Sequence, residues 1–373
     1  MLELPESLAA ILDGEEDDGE GLLPGEVFWR DHYMWLNECG YLLRPRYRPD
    51  WVPSWTKTKK WPESCEDGLL QLDSDLMDGE RKSDGKVVVF KKISKSRHPY
   101  EEEIGRFLSS GPLASDPHNH CVPIIDVLQV PDDDDLTILV MPLLRKFKDP
   151  PFDTIGEVLE FFRQIFEGLQ FMHHHLVAHR DCMVLNYMMD PTALYPRHFH
   201  PVETDRSRDF KSKAKHYRRT SHPVSYVIID FGISRRYQSS EMPPLEPPIL
   251  GGDKSAPEFK KSAEPCNPFP TDVYYVGNFI RTCFLEVYHG LEFMRPFVMD
   301  MVQDDPEKRP DMDAVVDRYA ELLTSRRTRS LRGRLAKKRE NPVAGIFRRV
   351  SHSIRTCIYI ARGYNPLPTP RAL

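Results

Sequence analysis

Three short stretches of this chain carry residues that could do chemistry together. His179-Arg180-Asp181 is followed five residues on by Asn186, and further along by Asp230-Phe231-Gly232. In order, they supply a carboxylate able to take a proton from a hydroxyl, an amide suited to a hard divalent cation, and a second carboxylate for that cation. Transfer of a phosphoryl group asks little more of a protein than positioned oxygens, a cation between them and a lysine on the phosphates.

Taken in this order, the motifs resemble those of the protein kinase superfamily, and the flanking sequence extends the resemblance. Val88-Val89-Phe90-Lys91-Lys92-Ile93 reads as a β-branched and aromatic strand. The resemblance makes Lys91 the lysine that holds the α- and β-phosphates of ATP. Val89, two residues before it, is compact enough to lie against adenine, whereas choosing Lys92 would put Phe90 there. The partner glutamate is expected on a helix over Tyr100 to Leu108. Glu103 is preferred to Glu102 because Phe107 then follows on the same face, directed towards Phe231. Met141 is expected at the back of the nucleotide pocket, and Leu143, in Pro142-Leu143-Leu144, in the hinge.

The same carry-over gives Asp181 the substrate hydroxyl proton and has Asn186 and Asp230 hold Mg²⁺ against the phosphates. Arg180 suggests a loop ordered by an anion, with phosphorylation at Ser239 or Ser240 as its expected source. Downstream, Ser255-Ala256-Pro257-Glu258 resembles the end of an activation loop. Arg309, in Asp305-Pro306-Glu307-Lys308-Arg309-Pro310, resembles the arginine that pairs with that glutamate. Asp272, in Thr271-Asp272-Val273-Tyr274-Tyr275-Val276-Gly277, resembles the aspartate that anchors the catalytic loop. The chain is also similar to divergent kinase-like proteins of mushroom-forming fungi, which share the His-Arg-Asp-Cys start and an inserted basic loop.

The resemblance implies an α+β, bilobal kinase-like fold with a small β-rich lobe and a larger helical one. Residues 1–62 are expected to form a Trp- and Pro-rich extension packed on the body, 63–145 the small lobe, 146–325 the helical lobe and 326–373 a basic tail. Thr154 to His175 shows helical periodicity in Phe161, Phe162, Ile165, Leu169 and Met172. His173-His174-His175 ends that helix, where consecutive residues point in different directions and do not suit one metal. A basic insertion at about 191–225 interrupts the crossing to Asp230. It reads as a solvated loop or as a docking surface for an acidic or phosphorylated partner.

The chain has 373 residues and a formal charge of −6, unevenly spread. Between Arg326 and Arg362 twelve Lys and Arg face the single acid Glu340. Arg334 to Arg339 suits nuclear import, and Pro342 to Ala361 a weakly amphipathic membrane-surface helix; a disordered tail is the other reading. The sequence contains no transmembrane-length apolar run, no secretory start and no specific nucleic-acid motif. Seven cysteines without a Cys-x-x-Cys pair suit reduced thiols, so the expected location is intracellular, in cytoplasm or nucleus.

Three positions depart from the kinase pattern. The segment Leu69 to Gly85 holds only Gly79 and Gly85, where a glycine-rich loop is sought. Met183 stands where serine/threonine kinases have a lysine, and Gly251 where they have the threonine that bridges it. The last two belong to one hydrogen-bonded unit and count as one change. The expected function is a protein kinase using ATP and Mg²⁺ on a protein hydroxyl, Ser/Thr rather than Tyr. The alternative is a pseudokinase scaffold or nucleotide-gated switch. A small-molecule kinase ranks third, because such enzymes normally lack the Ala-Pro-Glu and Asp-Pro-x-x-Arg-Pro segments.

Overall fold

The computed structural model describes residues 21–58, 60–249, 251–261 and 264–370. They form a mixed α+β protein with a curled antiparallel sheet, divided into two compact units. The first comprises residues 21–97, 123–143 and 195–216, the second 98–122, 144–194 and 217–370.

In the first unit, α1 (Pro24–Asp31) and α2 (Tyr33–Glu38) precede five strands: β1 (Tyr41–Leu43), β2 (Leu76–Arg81), β3 (Val87–Ser94), β4 (Asp126–Gln129) and β5 (Leu136–Pro142). The sheet order is β1-β2-β3-β5-β4, antiparallel throughout. Side chains alternate across a strand, so the faces sort themselves by sequence. Val88 and Phe90 of β3 point into a core shared with Trp29, Tyr33 and Leu36 of the two helices. Phe90 meets Tyr41 edge-on at 5.4 Å. A Cβ at Gly79 would come within 2.5 Å of the Phe90 ring, so a larger residue there would displace it.

The segment expected as an extension thus supplies an edge strand and much of this core. It also moves the place where a glycine-rich loop would belong. The connection before β2 runs from residue 44 to 75 and holds only Gly68. Short 3₁₀ turns and a single helical turn at Ser54–Thr58 fill it, and a buried Arg46–Glu26 ion pair at 2.8 Å ties it to α1. Burial opposes the charge on Glu26, but hydrogen bonds and charge from Arg46 hold its carboxyl below the usual value.

The second unit contains α3 (Glu101–Leu108), β6 (Arg145–Lys146), α4 (Ile155–His174), β7 (Val177–Ala178), β8 (Tyr187–Met189), β9 (Tyr226–Ile228) and β10 (Arg235–Arg236). Then follow α5 (Pro257–Lys261), α6 (Pro268–Ile280), α7 (Arg295–Met301), α8 (Met312–Thr324) and α9 (Pro342–Ala361). Helix α4 starts at a capping box, in which Thr154 accepts from the Glu157 amide at 3.1 Å and Glu157 reaches back. Its expected apolar stripe is buried from Phe161 to Met172. Phe161 stacks on Phe147 at 4.6 Å and meets Tyr226 and Phe279 edge-on.

Two basic regions are more ordered than a solvated loop or tail. Residues 195–216 of the insertion belong to the first unit, where Arg208 pairs with Glu80 and His200 with Glu66. Arg219, in the second unit, is buried and donates to the carbonyls of Phe147 and Pro150. Lys211, Lys213 and Lys215 stay exposed. The tail docks as α9 through Arg355 on Asp153, at 2.7 and 2.8 Å, and through buried His352 and Tyr359. The disordered reading of this segment is therefore corrected: the partly buried Asp153 carboxylate holds its middle.

Candidate active site

Loops at the ends of short strands hold the chemistry-bearing residues of the second unit. Strand β7 pairs with β10 and delivers the chain into His179-Arg180-Asp181. The turn that follows is fastened from below by Asp272 of α6, which is fully buried. Its carboxylate accepts from the His179 amide at 2.7 Å and the Arg180 amide at 2.6 Å, and contacts His173 at 3.1 Å. Asn267 and Pro268 set the start of α6. The expected anchoring role of Asp272 is thus visible in its bonds.

Arg180 and Asp230 both adopt a positive φ of 68°. For side chains of this size the conformation costs of order 1–3 kcal/mol and persists only where neighbours impose it. Here they do. The His179 ring contacts the Ile229 carbonyl at 3.0 Å, Ser234 donates to the His179 carbonyl at 2.9 Å, and buried Phe231 lies edge-on to His179.

Asp181 and Asn186 are brought together. The Asn186 amide nitrogen donates to the Asp181 carbonyl at 2.8 Å and to its carboxylate at 2.9 Å. That leaves the amide oxygen as the group Asn186 can offer a cation. The Ile229 amide donates to the Asn186 carbonyl at 3.0 Å, extending the β8–β9 pairing so that Asp230 follows just beyond it. Among the described residues no group of three or more His, Cys, Asp or Glu gathers as a metal site. A hard cation held by one carboxylate, one amide oxygen and phosphate oxygens requires none.

The Met183 and Gly251 departures have a geometric counterpart. The other carboxylate oxygen of Asp181 accepts the Gly252 amide at 2.8 Å. A Cβ on Gly251 would lie 2.5 Å from that same oxygen, and one on Gly252 would lie 1.9 Å from the Met183 sulfur. Met183 and the two glycines therefore pack as a set, and a backbone N–H meets Asp181. Sequence reasoning identified the change but not the replacement donor, since a main-chain amide leaves no residue signature.

Arg180 is also occupied. It is buried, donates to the carbonyls of Ile233 and Pro247, and lies 3.7 Å from Glu246. Arg235 reaches the same carboxylate at 3.1 Å. A glutamate thus sits where a phosphate was expected, while Ser239 and Ser240 are exposed. Further along, Glu258 and Arg309 form a two-pronged pair at 2.9 and 2.7 Å, as expected. Burial works against the Glu258 charge, but Arg309 holds its carboxyl below the usual range.

Helix α3 turns a different carboxylate inward from the one expected. Glu103 is exposed and faces Arg236 at 4.0 Å, and the Arg236 guanidinium covers Phe107 at 3.5 Å. Glu103 and Phe107 do share a face, but it is the face towards β10. The buried glutamate is Glu101, in line with Ile104, Gly105 and Leu108. Its Oε2 would be 3.2 Å from a Cβ at Gly232, beside Asp230-Phe231-Gly232. Ile104 and Leu108 mark its face in the sequence, but the choice of glutamate rested on Phe107, which marks the opposite one.

In the first unit, Val89, Lys91, Met141 and Leu143 lie on β3 and at the end of β5. Val89 pairs with Met141, and Lys91 with Leu139, so Val89, Lys91 and Met141 share the face opposite the α1–α2 core. Lys92 points the other way, over the Phe28 ring at 4.6 Å and 3.2 Å from Asp75. Lys91 and Lys92 therefore lie on opposite faces of the sheet. Asp78 pairs with Val89 and so joins the same face, buried and 3.0 Å from Arg44. A cavity of about 440 Å³ opens beside it, lined among others by Arg44, Asp78, Glu80, Val87, His200 and Arg208.

No protein-family model matches this chain, and no curated protein matches it.

Proposed function

We propose that the chain is an ATP-dependent phosphotransferase with a bilobal kinase-like fold, acting on a protein hydroxyl. The observation that carries this reading is the Asp181–Asn186 pair, held by buried Asp272 on a strained turn beside Asp230. Asp181 would accept or orient the substrate hydroxyl proton. Asn186 and Asp230 would hold Mg²⁺, which neutralises phosphate charge when bound. Lys91 is the cation for the α- and β-phosphates, with Val89, Met141 and Leu143 towards the base. The nearness of Glu101 to Gly232 makes it, not Glu103, the carboxylate that fits beside this machinery.

A second reading, a pseudokinase that binds partners without phosphotransfer, is favoured by one observation. The sheet face carrying Val89 and Lys91 also carries the buried Arg44–Asp78 pair, with no glycine-rich loop beside it. The deciding experiment is ADP release and self-phosphorylation by the purified chain with Mg²⁺-ATP, beside an Asp181→Asn control. Turnover that disappears in the control supports the enzyme. Silence in both, with ATP still raising the melting temperature, supports the pseudokinase.

A further inference from the structure

Helix α9 presents the wrong side to water. Its inward face holds buried His352 and Tyr359 and the Arg355–Asp153 contact. Its outward face carries Val343 at 64 % exposed, Ile346 at 62 %, Phe347 at 72 %, Val350 at 56 %, Ile354 at 59 % and Ile358 at 46 %. Steps of three and four residues keep these within about 60° of one line along the helix. The result is an apolar ridge about 25 Å long, too large to be the scattered exposure of an ordinary surface.

The charges around the ridge point to what covers it. Arg348 and Arg349 flank it, Arg362 closes its end, and Lys337 and Arg339 are exposed ahead of it. From residue 341 onward the sequence has no acid. The nearest one, Glu340, is already shared by Arg334 and Arg348. A second copy packed ridge to ridge would bring these arginines against their own counterparts with no carboxylate between them. Among the described residues no helix is long and apolar enough to cross a membrane, and α9 is itself fastened along one side.

We propose that α9 docks this protein flat on an anionic lipid surface, with the Val343–Ile358 ridge in the acyl boundary and the arginines at the headgroups. The inference is independent of the proposed enzymatic activity. It is tested by floating the full-length chain with vesicles of phosphatidylcholine alone, or with roughly one-third phosphatidylserine. The chain is expected to float with the anionic vesicles only, and raised salt to weaken it. Phe347→Glu with Ile354→Glu, and separately Arg349→Glu with Arg362→Glu, should each lower the partition coefficient about tenfold or more. These positions are exposed, so circular dichroism and melting temperature should be unchanged. Failure of the wild-type chain to float with anionic vesicles, equal flotation with neutral ones, or equal flotation of the Phe347/Ile354 variant would each overturn the proposal. So would a dimer in ultracentrifugation that the Phe347/Ile354 variant splits without any vesicle binding; the ridge would then belong to a second copy.

Discussion

Asp181 stands at the centre of the proposed chemistry, and its two carboxylate oxygens are fixed by donors of different kinds: an asparagine side chain and a glycine amide. This arrangement makes the missing threonine hard to restore. Gly251→Thr would push a Cβ to 2.5 Å from Asp181 Oδ1. We expect it to lower turnover by on the order of 100-fold, because small misplacements of a reacting group cost that much. Single-turnover kinetics would check this; unchanged turnover would show the loop can move aside. The Arg180 cluster carries a separate prediction. With Glu246 already between Arg180 and Arg235, Ser239→Ala with Ser240→Ala should leave activity within about twofold, while Glu246→Gln should lower it about tenfold. If the serine variant is the inactive one, phosphorylation and not Glu246 orders the loop.

Elements matter here chiefly as clamps. Helix α6 clamps the His179–Asp181 turn through Asp272; Asp272→Ala strands two buried amides and should destabilise the fold by about 2–5 kcal/mol in urea titrations. Asp153 clamps α9 against the start of α4. Burial disfavours its charge, yet the His352 ring 3.5 Å away, hydrogen bonds from Arg355 and the Arg355 and Arg218 charges bring it down to about 2, from 3.8. A lowered folded value means that this stabilisation is complete above the unfolded value and fades as pH falls from about 4 towards 2. Hydrogen exchange across 342–361 should therefore accelerate in that window, and Asp153→Ala should accelerate it at neutral pH. Exchange that is insensitive to both would mean α9 is held by its apolar contacts alone. The readable parts of these clamps were fixed-spacing polar motifs: Asp272, Glu258 and Arg309 each bond as their sequence surroundings implied. Tyr41–Leu43 was not readable as a strand, because three residues show no period and its partner lies beyond a long connection. Glu101 was missed for a related reason: helical spacing fixes which residues share a face, not which face turns inward.

At the scale of the molecule, the chain changes unit repeatedly: residues 98–122 join the helical unit, and 195–216 rejoin the sheet unit. A division drawn at residue 62 or 145 assumes one continuous stretch per lobe, which local patterns can neither support nor refute. The sheet unit depends on its first described residues. Trp29, Leu36 and Tyr41 are core, and Glu26 takes two hydrogen bonds from Arg46 and one from Tyr47. A shortened chain beginning at residue 63 should be insoluble or melt far lower than the full one. Equal melting of the two would remove the first helices from the core.

The amide that tethers Asp181 has a consequence for how this site can be dissected. Substitution scanning reads side chains, and at Gly252 it would register a collision with Met183 while the N–H stayed in place. An alanine there would lose activity through crowding, and the donor itself would go unrecorded. Only replacing the amide linkage by an ester, through chemical ligation, separates the two: the shape survives and the proton is gone. In this chain one attachment point of the proposed catalytic group is written into the backbone, where codon changes cannot address it cleanly.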